Sequence, residues 1–237
     1  SAGVVEVLAR LTDAHGNNVP PSEFIPAAER FGMASMLDRW VIRQAVERHA
    51  PAMGRAGPVS LAFNLSAQTL SDPSLWPFVE DTLSRNGVFP GHVVFEITET
   101  ATVTNFAAAE SFVRSAREAG CRVSLDDFGA GLSSFGYLRR FTVDSVKIDG
   151  EFVENIAHND FDRAIVASIS GIARDLGIHV VAERIEDPEA LAVLQGLGVK
   201  YVQGYLLHRP EPLAAVIERI RRDEDDGMTE GEDRRAS

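Results

Sequence analysis

Cysteine is nearly absent: Cys121 is the one thiol in 237 residues. That excludes an intrachain disulfide and a thiolate zinc cluster, and it suits a reducing, cytoplasmic compartment. Long apolar runs are missing too. No stretch approaches the ~20 residues a membrane-spanning helix needs, and no signal peptide opens the chain, so no membrane contact by this domain is expected. Positive charge is scarce, with 23 Lys and Arg against 35 Asp and Glu, a formal balance of −12. Residues 223–237 hold seven acids and two arginines, and without that tail the body still stands at −7. Such a surface repels nucleic acid, so no nucleic-acid partner is expected. A small phosphorylated ligand would need metals and a few local cations. Histidine is thinly spread: His15, His49, His92, His158, His179 and His208 are scattered and read as structural.

What is present is a chain of 45% hydrophobic and 24% charged residues, enough for a sizeable core. Apolar strands alternate with helical periods along its length, with no long linker. Strands are expected at Val4–Leu11, Val59–Leu65, His92–Ile97, Val123–Leu125, Ser145–Ile148, His179–Ala182 and Tyr201–Val202. Helices are expected at Phe24–Phe31, Met36–His49, Ser71–Asn86, Phe106–Ala119, Ser133–Arg140, Asp160–Leu176, Asp187–Leu197 and Leu213–Arg222. The acidic residues 223–237 read as a disordered tail after a domain covering 1–222. Strand–helix alternation predicts a parallel sheet, closed or open.

The strand ends carry the chemistry. Arg122–Gly131 reads as a strand ending in two adjacent acids, Asp126 and Asp127, before a glycine-bearing loop. Adjacent carboxylates repel unless something positive lies between them, and a divalent metal is one answer. An Asp-capped turn is the other. The remaining strands decide between them, because each carries a polar group at or near its end: Glu6, Asn64, Glu96, Lys147 with Asp149, Glu183, Gln203. One strand-end acid is more often a cap or a loop ion pair; repetition over seven strands points to a shared site. An open sheet gathers ligands at one crevice, whereas a barrel gathers them from all strands onto one rim. The pattern therefore predicts an α/β, TIM-like (β/α) barrel. Carboxylates and an amide without Cys or His favour Mg²⁺ or Mn²⁺ over zinc. A shared aspartate could bridge two such ions ~3.5–4 Å apart. Lys147 could then orient the attacking water. Glu183 or Glu186 could ligate or take the proton, and Arg10 could reach a phosphate.

These residues resemble the EAL-domain phosphodiesterases, which hydrolyse the bacterial second messenger cyclic di-GMP to linear pGpG. The signature appears as Glu6-Val7-Leu8, followed by Ala9-Arg10. The likeness continues through Phe24-Ile25-Pro26, Asn64-Leu65-Ser66, Glu96-Ile97-Thr98-Glu99 and Asp126–Ser134. It runs on through Lys147-Ile148-Asp149, Ala182-Glu183 with Glu186, and Gln203-Gly204-Tyr205-Leu206. It implies that Glu6, Asn64, Glu96 and Asp126 ligate one metal, that Asp127 and Glu183 serve a second, and that Asp126 bridges. It implies Lys147, Glu183 and Glu186 as catalytic residues and Leu8, Arg10, Asp149 and Gln203 as substrate-binding residues. Glu99 would anchor the loop after Asp127, a candidate mobile segment over Phe128–Ser134 that couples metal binding to a homodimer. Mg²⁺ or Mn²⁺ would support turnover and Ca²⁺ inhibit it. Sensor, receiver or GGDEF modules upstream in a parent protein are a further implication.

Three departures from the family pattern stand out. Val7 replaces Ala and should point away from Glu6. Arg184 stands where the family usually has Gly, which would narrow the loop or place a cation at the site. The family's first strand and N-terminal helix have no counterpart before Glu6, so seven strands are expected rather than eight. The alternatives are a catalytically silent cyclic di-GMP receptor and an unrelated barrel enzyme acting on another phosphoester.

Overall fold

The computed structural model describes residues 3–129, 136, 138 and 140–233. The strands are β1 (Gly3–Glu6), β2 (Leu11–Thr12), β3 (Asn18–Val19), β4 (Val59–Leu65), β5 (Val93–Thr98), β6 (Arg122–Phe128), β7 (Ser145–Ile148), β8 (His179–Ala182) and β9 (Tyr201–Val202). The helices are α1 (Pro21–Arg30), α2 (Ala34–His49), α3 (Ala67–Leu70), α4 (Leu75–Arg85), α5 (Glu99–Thr104), α6 (Phe106–Glu118), α7 (Gly150–Glu154), α8 (Asp160–Asp175), α9 (Pro188–Gly196) and α10 (Leu213–Asp233). Among the described residues the main sheet has seven strands, and its order β1-β4-β5-β6-β7-β8-β9 follows their order along the chain. Pairings β1–β4, β6–β7, β7–β8 and β8–β9 are parallel. This is the expected β/α alternation. Among the described residues no helix is long and apolar enough to cross a membrane.

The chain divides into two compact units. The first comprises Ser1–Asn64, Ser74–Val94 and Pro210–Ser237. Its buried side chains include Ile42 and Val46 on α2, Leu61 and Phe63 on β4, and Leu75 and Val79 on α4. In β4 every residue but Asn64 is buried, as befits a parallel strand covered on both faces. The second unit comprises Leu65–Pro73 and Phe95–Arg209. Phe95, Val123, Leu125, Phe128, Ile148, Ile169 and Ala182 lie in its core. Phe95 meets Phe112 edge-on at 5.1 Å, an arrangement aromatic quadrupoles favour. Asn105 caps α6 through Ala108 N–H, and Asn159 caps α8 through Phe161 and Asp162 N–H. Such caps are each worth about 1 kcal/mol.

Four sequence expectations change. The first strand stops at Glu6 instead of reaching Leu11, and it is not buried: Val4 and Leu8 are 53% and 44% exposed. Leu11–Thr12 pairs antiparallel with Asn18–Val19 instead. Asp13 sets that turn by accepting from His15 and Asn17 N–H at 2.8 Å each. The helix expected over Ser71–Asn86 begins only at Leu75, as α4, after a separate short helix α3 that ends at Leu70; Pro73, with no N–H to donate, lies in the break between them. The last helix runs past Arg222 to Asp233. Gly227 and Gly231 each weaken a helix by only about 1 kcal/mol, so the acidic stretch stays compatible with it. The short helix expected over Ser133–Arg140 falls largely outside the described residues.

Candidate active site

The two acids of β6 sit on a bulge. Ser124 pairs with Ser145 and Leu125 with Val146, but the next matched pair is Phe128 with Ile148. Asp126 and Asp127 therefore stand opposite the single residue Lys147. Such a two-against-one step bends the strand and re-aims its side chains. Asp127 takes up the distortion at φ 53°, in the left-handed region that Asp enters more readily than most residues. In a regular strand neighbours face opposite sides. Here Asp126, Asp127 and Glu183 each bring a carboxylate oxygen within 4.8 Å of the others.

Lys147 is the centre of the charge pattern. Its Nζ lies 2.8 Å from Glu183 Oε1, 3.0 Å from Glu96 Oε2 and 3.3 Å from Asp126 Oδ1. The side chain is only 3% exposed. Register explains the meeting with Glu183: Lys147 pairs with Val181, and Glu183 lies two residues further along the same strand direction. One ammonium against four carboxylates leaves a surplus of negative charge among buried and half-buried side chains. Asp127 feels it: burial pushes its carboxyl above the usual range, and the charges of Asp126 and Asp149 push it further. Lys147 and Arg184 act the other way. The convergence of three carboxylates with one shared counter-ion fits a hard divalent cation, which takes oxygen ligands.

The first unit holds the other two expected ligands. Asn64 Nδ2 donates to Glu6 Oε1 at 2.8 Å. Glu6 pairs with Ala62 in the β1–β4 register, and Asn64, two residues on, points to the same side. Leu8 and Arg10 follow β1 as exposed residues, and Arg10 Nη1 donates to its neighbour Ala9 O at 3.0 Å.

The remaining expected residues of the second unit take distinct places. Asp149 caps α7, its Oδ1 accepting from Glu151 N–H at 2.9 Å. Gln203 is exposed, and its backbone N–H donates to Ala182 O at 2.8 Å. Glu186 is exposed in the loop before α9. Glu99 is buried as the first residue of α5, where its carbonyl accepts from Thr102 Oγ1 at 2.6 Å. The loop it was expected to anchor lies outside the described residues from position 130 to 135. Arg184 does bring a cation to the loop directly after Glu183, where its guanidinium lies 3.4 Å from Glu154 Oε1. Sequence reasoning missed Gly150 and Gly204, whose bare backbones make room beside the Glu183 loop. The signal was there in the motifs, since each glycine directly follows a residue already assigned to the site.

Comparison with known proteins gives a consistent picture. The EAL domain family matches residues 3–210. The chain is 39% identical over 216 residues to the cyclic di-GMP phosphodiesterase PdeB of Shewanella oneidensis, covering 91% of this chain and 25% of that protein. It is 34% identical over 215 residues to the cyclic di-GMP phosphodiesterase PdeF of Escherichia coli, covering 91% and 29%. The chain thus spans little more than a quarter of the length of these relatives. Among solved structures, the PaMucR phosphodiesterase in complex with c-di-GMP superposes with a TM-score of 0.82 at 32% identity, covering 89% of this chain and 86% of that one.

Proposed function

The chain belongs to the EAL-domain family, and we propose that it is a metal-dependent phosphodiesterase that hydrolyses cyclic di-GMP to linear pGpG. The observation that carries this reading is the buried Lys147 ammonium shared among Glu96, Asp126 and Glu183 beside Asp127. A structural ion pair needs one carboxylate per lysine; four acids around one lysine suit a site that receives further cations.

Within this proposal Glu6, Asn64, Glu96 and Asp126 would hold one Mg²⁺ or Mn²⁺, and Asp126, Asp127 and Glu183 would hold a second. Bound there, the ions would polarise the phosphodiester and make a water molecule more acidic. The chain's own groups do the rest. Lys147 steadies the charge that builds on the phosphoryl oxygens. Glu183, 2.8 Å from Lys147 Nζ, can take a proton from the attacking water, with Glu186 as its neighbour in the loop. The water oxygen bonds to phosphorus, the P–O3′ bond breaks, and the departing 3′ oxygen takes up a proton from solvent water. Leu8, Arg10, Asp149 and Gln203 contact the dinucleotide. The same proposal places the domain, residues 1–222, in the bacterial cytoplasm as a homodimer. There, regulatory modules of a longer parent protein would control it.

The test is incubation of the protein with cyclic di-GMP and Mg²⁺ or Mn²⁺, with chromatography for pGpG. Product that disappears on chelation, and on replacement of the metal by Ca²⁺, supports the reading. No product at any concentration of either metal overturns it.

A further inference from the structure

Arg184 follows Glu183 directly and holds φ at 52°, a left-handed conformation that side chains other than Gly, Asn and Asp rarely adopt. Its side chain runs over the backbone of Gly150. A Cβ at Gly150 would lie 2.3 Å from Arg184 Cδ and 2.7 Å from Cγ, so only a glycine leaves room for the arginine stem. The guanidinium ends 3.4 Å from Glu154 Oε1 on α7. Both of those side chains are more than half exposed, and an ion pair of that kind contributes little stability. The pair therefore does not account for the strained backbone. Strain of this sort persists where the surroundings impose it, and it gathers at functional sites.

The opposite side of the loop is gripped as well. Ile185 N–H donates to Gln203 O at 3.0 Å, and Ile185 O accepts from Leu206 N–H at 2.9 Å. A Cβ at Gly204 would fall 2.2 Å from both Ile185 N and Ile185 O. Residues 184 and 185 are thus clasped between the turn after β7 and the turn after β9, with fully buried Ile185 as the pin. The residue delivered by this clasp is Glu183, whose carboxylate meets Lys147. Lys147 itself lies three residues before Gly150.

We infer that Arg184 is a positioning residue for the phosphodiester hydrolysis: seated on Gly150, it ties the loop that presents Glu183 to the turn that follows Lys147. The inference rests on the phosphodiesterase reading, but it makes its own predictions. Arg184→Gly relieves the backbone and removes the arginine stem from Gly150, leaving the Ile185 contacts with the turn after β9 in place. It should keep or raise the Tm yet lower kcat about tenfold, as loss of a supporting contact does, with KM changed by less than about twofold. Arg184→Lys, whose stem can still lie on Gly150, should recover most of the kcat. Gly150→Ala pushes the arginine stem aside without touching Arg184. It should reproduce the kcat loss, and adding it to Arg184→Gly should cost nothing more. Wild-type kcat in Arg184→Gly, or fully additive losses in the double variant, overturns the inference. A calorimetric titration with Mn²⁺ alone separates this claim from the assigned reaction. Even if the wild type released no pGpG, Arg184→Gly and Gly150→Ala should each weaken Mn²⁺ binding about tenfold. Unchanged affinity in both would refute the positioning role.

Discussion

Asp126 and Asp127 are adjacent in sequence, yet their carboxylate oxygens approach within 4.8 Å of one another and of Glu183. The bulge opposite Lys147 is the cause, and the left-handed backbone at Asp127 is its local expression. Two acids that a flat strand would have sent to opposite faces are delivered to one place. Without a cation the result is repulsive, which is why burial and Asp126 together raise the Asp127 carboxyl.

Asp126, like Glu183, both touches Lys147 and joins the three-carboxylate cluster. Asp126→Asn keeps its size and removes its charge. Lys147 retains Glu96 and Glu183 as partners, so the fold should survive. Turnover of cyclic di-GMP should fall by a factor on the order of a hundred or more. The circular dichroism spectrum and the apo Tm should change little. Normal activity in this variant would refute the bridging role.

Lys147→Met poses the converse case. It leaves Glu96, Asp126 and Glu183 buried or half-buried without their cation. Removing one partner of a buried ionic group costs roughly 3–5 kcal/mol. Divalent cations should replace part of the lost charge. The expected outcome is a marked fall in the metal-free Tm and a larger Tm rise on adding Mg²⁺ or Mn²⁺ than the wild type shows. Differential scanning fluorimetry with and without metal reads both.

Much of this was legible in the chain. β4, β7, β8 and β9 lie where the sequence pattern placed them, because apolar runs bounded by turn residues mark strands strongly. The acids at their ends were visible for the same reason. The bulge was not, since a two-against-one register belongs to the pairing of β6 with β7 rather than to either strand alone. The β2–β3 hairpin escaped notice because its two-residue strands carry no usable period and depend on the Asp13 side chain. Arg184 was conspicuous only through resemblance. The glycine that the resemblance implies at that position suits a positive φ, and this chain has a φ of 52° there with an arginine side chain.

Asn64→Ala tests the first unit separately. The Asn64 amide donates to Glu6 Oε1 and is itself exposed. Its removal should barely affect the metal-free Tm, since an exposed hydrogen bond contributes at most about 1 kcal/mol. If Glu6 and Asn64 belong to the metal site, affinity for Mn²⁺ should drop by about 10- to 100-fold. Titration calorimetry of the variant against the wild type measures the drop. Equal affinity would remove Asn64 from the ligand set.

Cys121 offers a prediction independent of the site. It is 3% exposed at the start of the segment that enters β6. Burial alone pushes its thiol from an ordinary 9.0 up to about 12. The folded chain therefore keeps the thiol neutral at pH 8, and a thiol reagent such as DTNB should react with it only on unfolding. The sign for stability follows from the raised value. The folded state's preference for the neutral thiol leaves stability intact below pH 9.0 and erodes it as pH rises from there through about 12. Urea midpoints of the wild type and Cys121→Ala, compared between pH 8 and pH 11, isolate this contribution from that of Lys and Tyr. The gap between the two midpoints should shift against the wild type above pH 9.0, and a constant gap would contradict the buried neutral thiol.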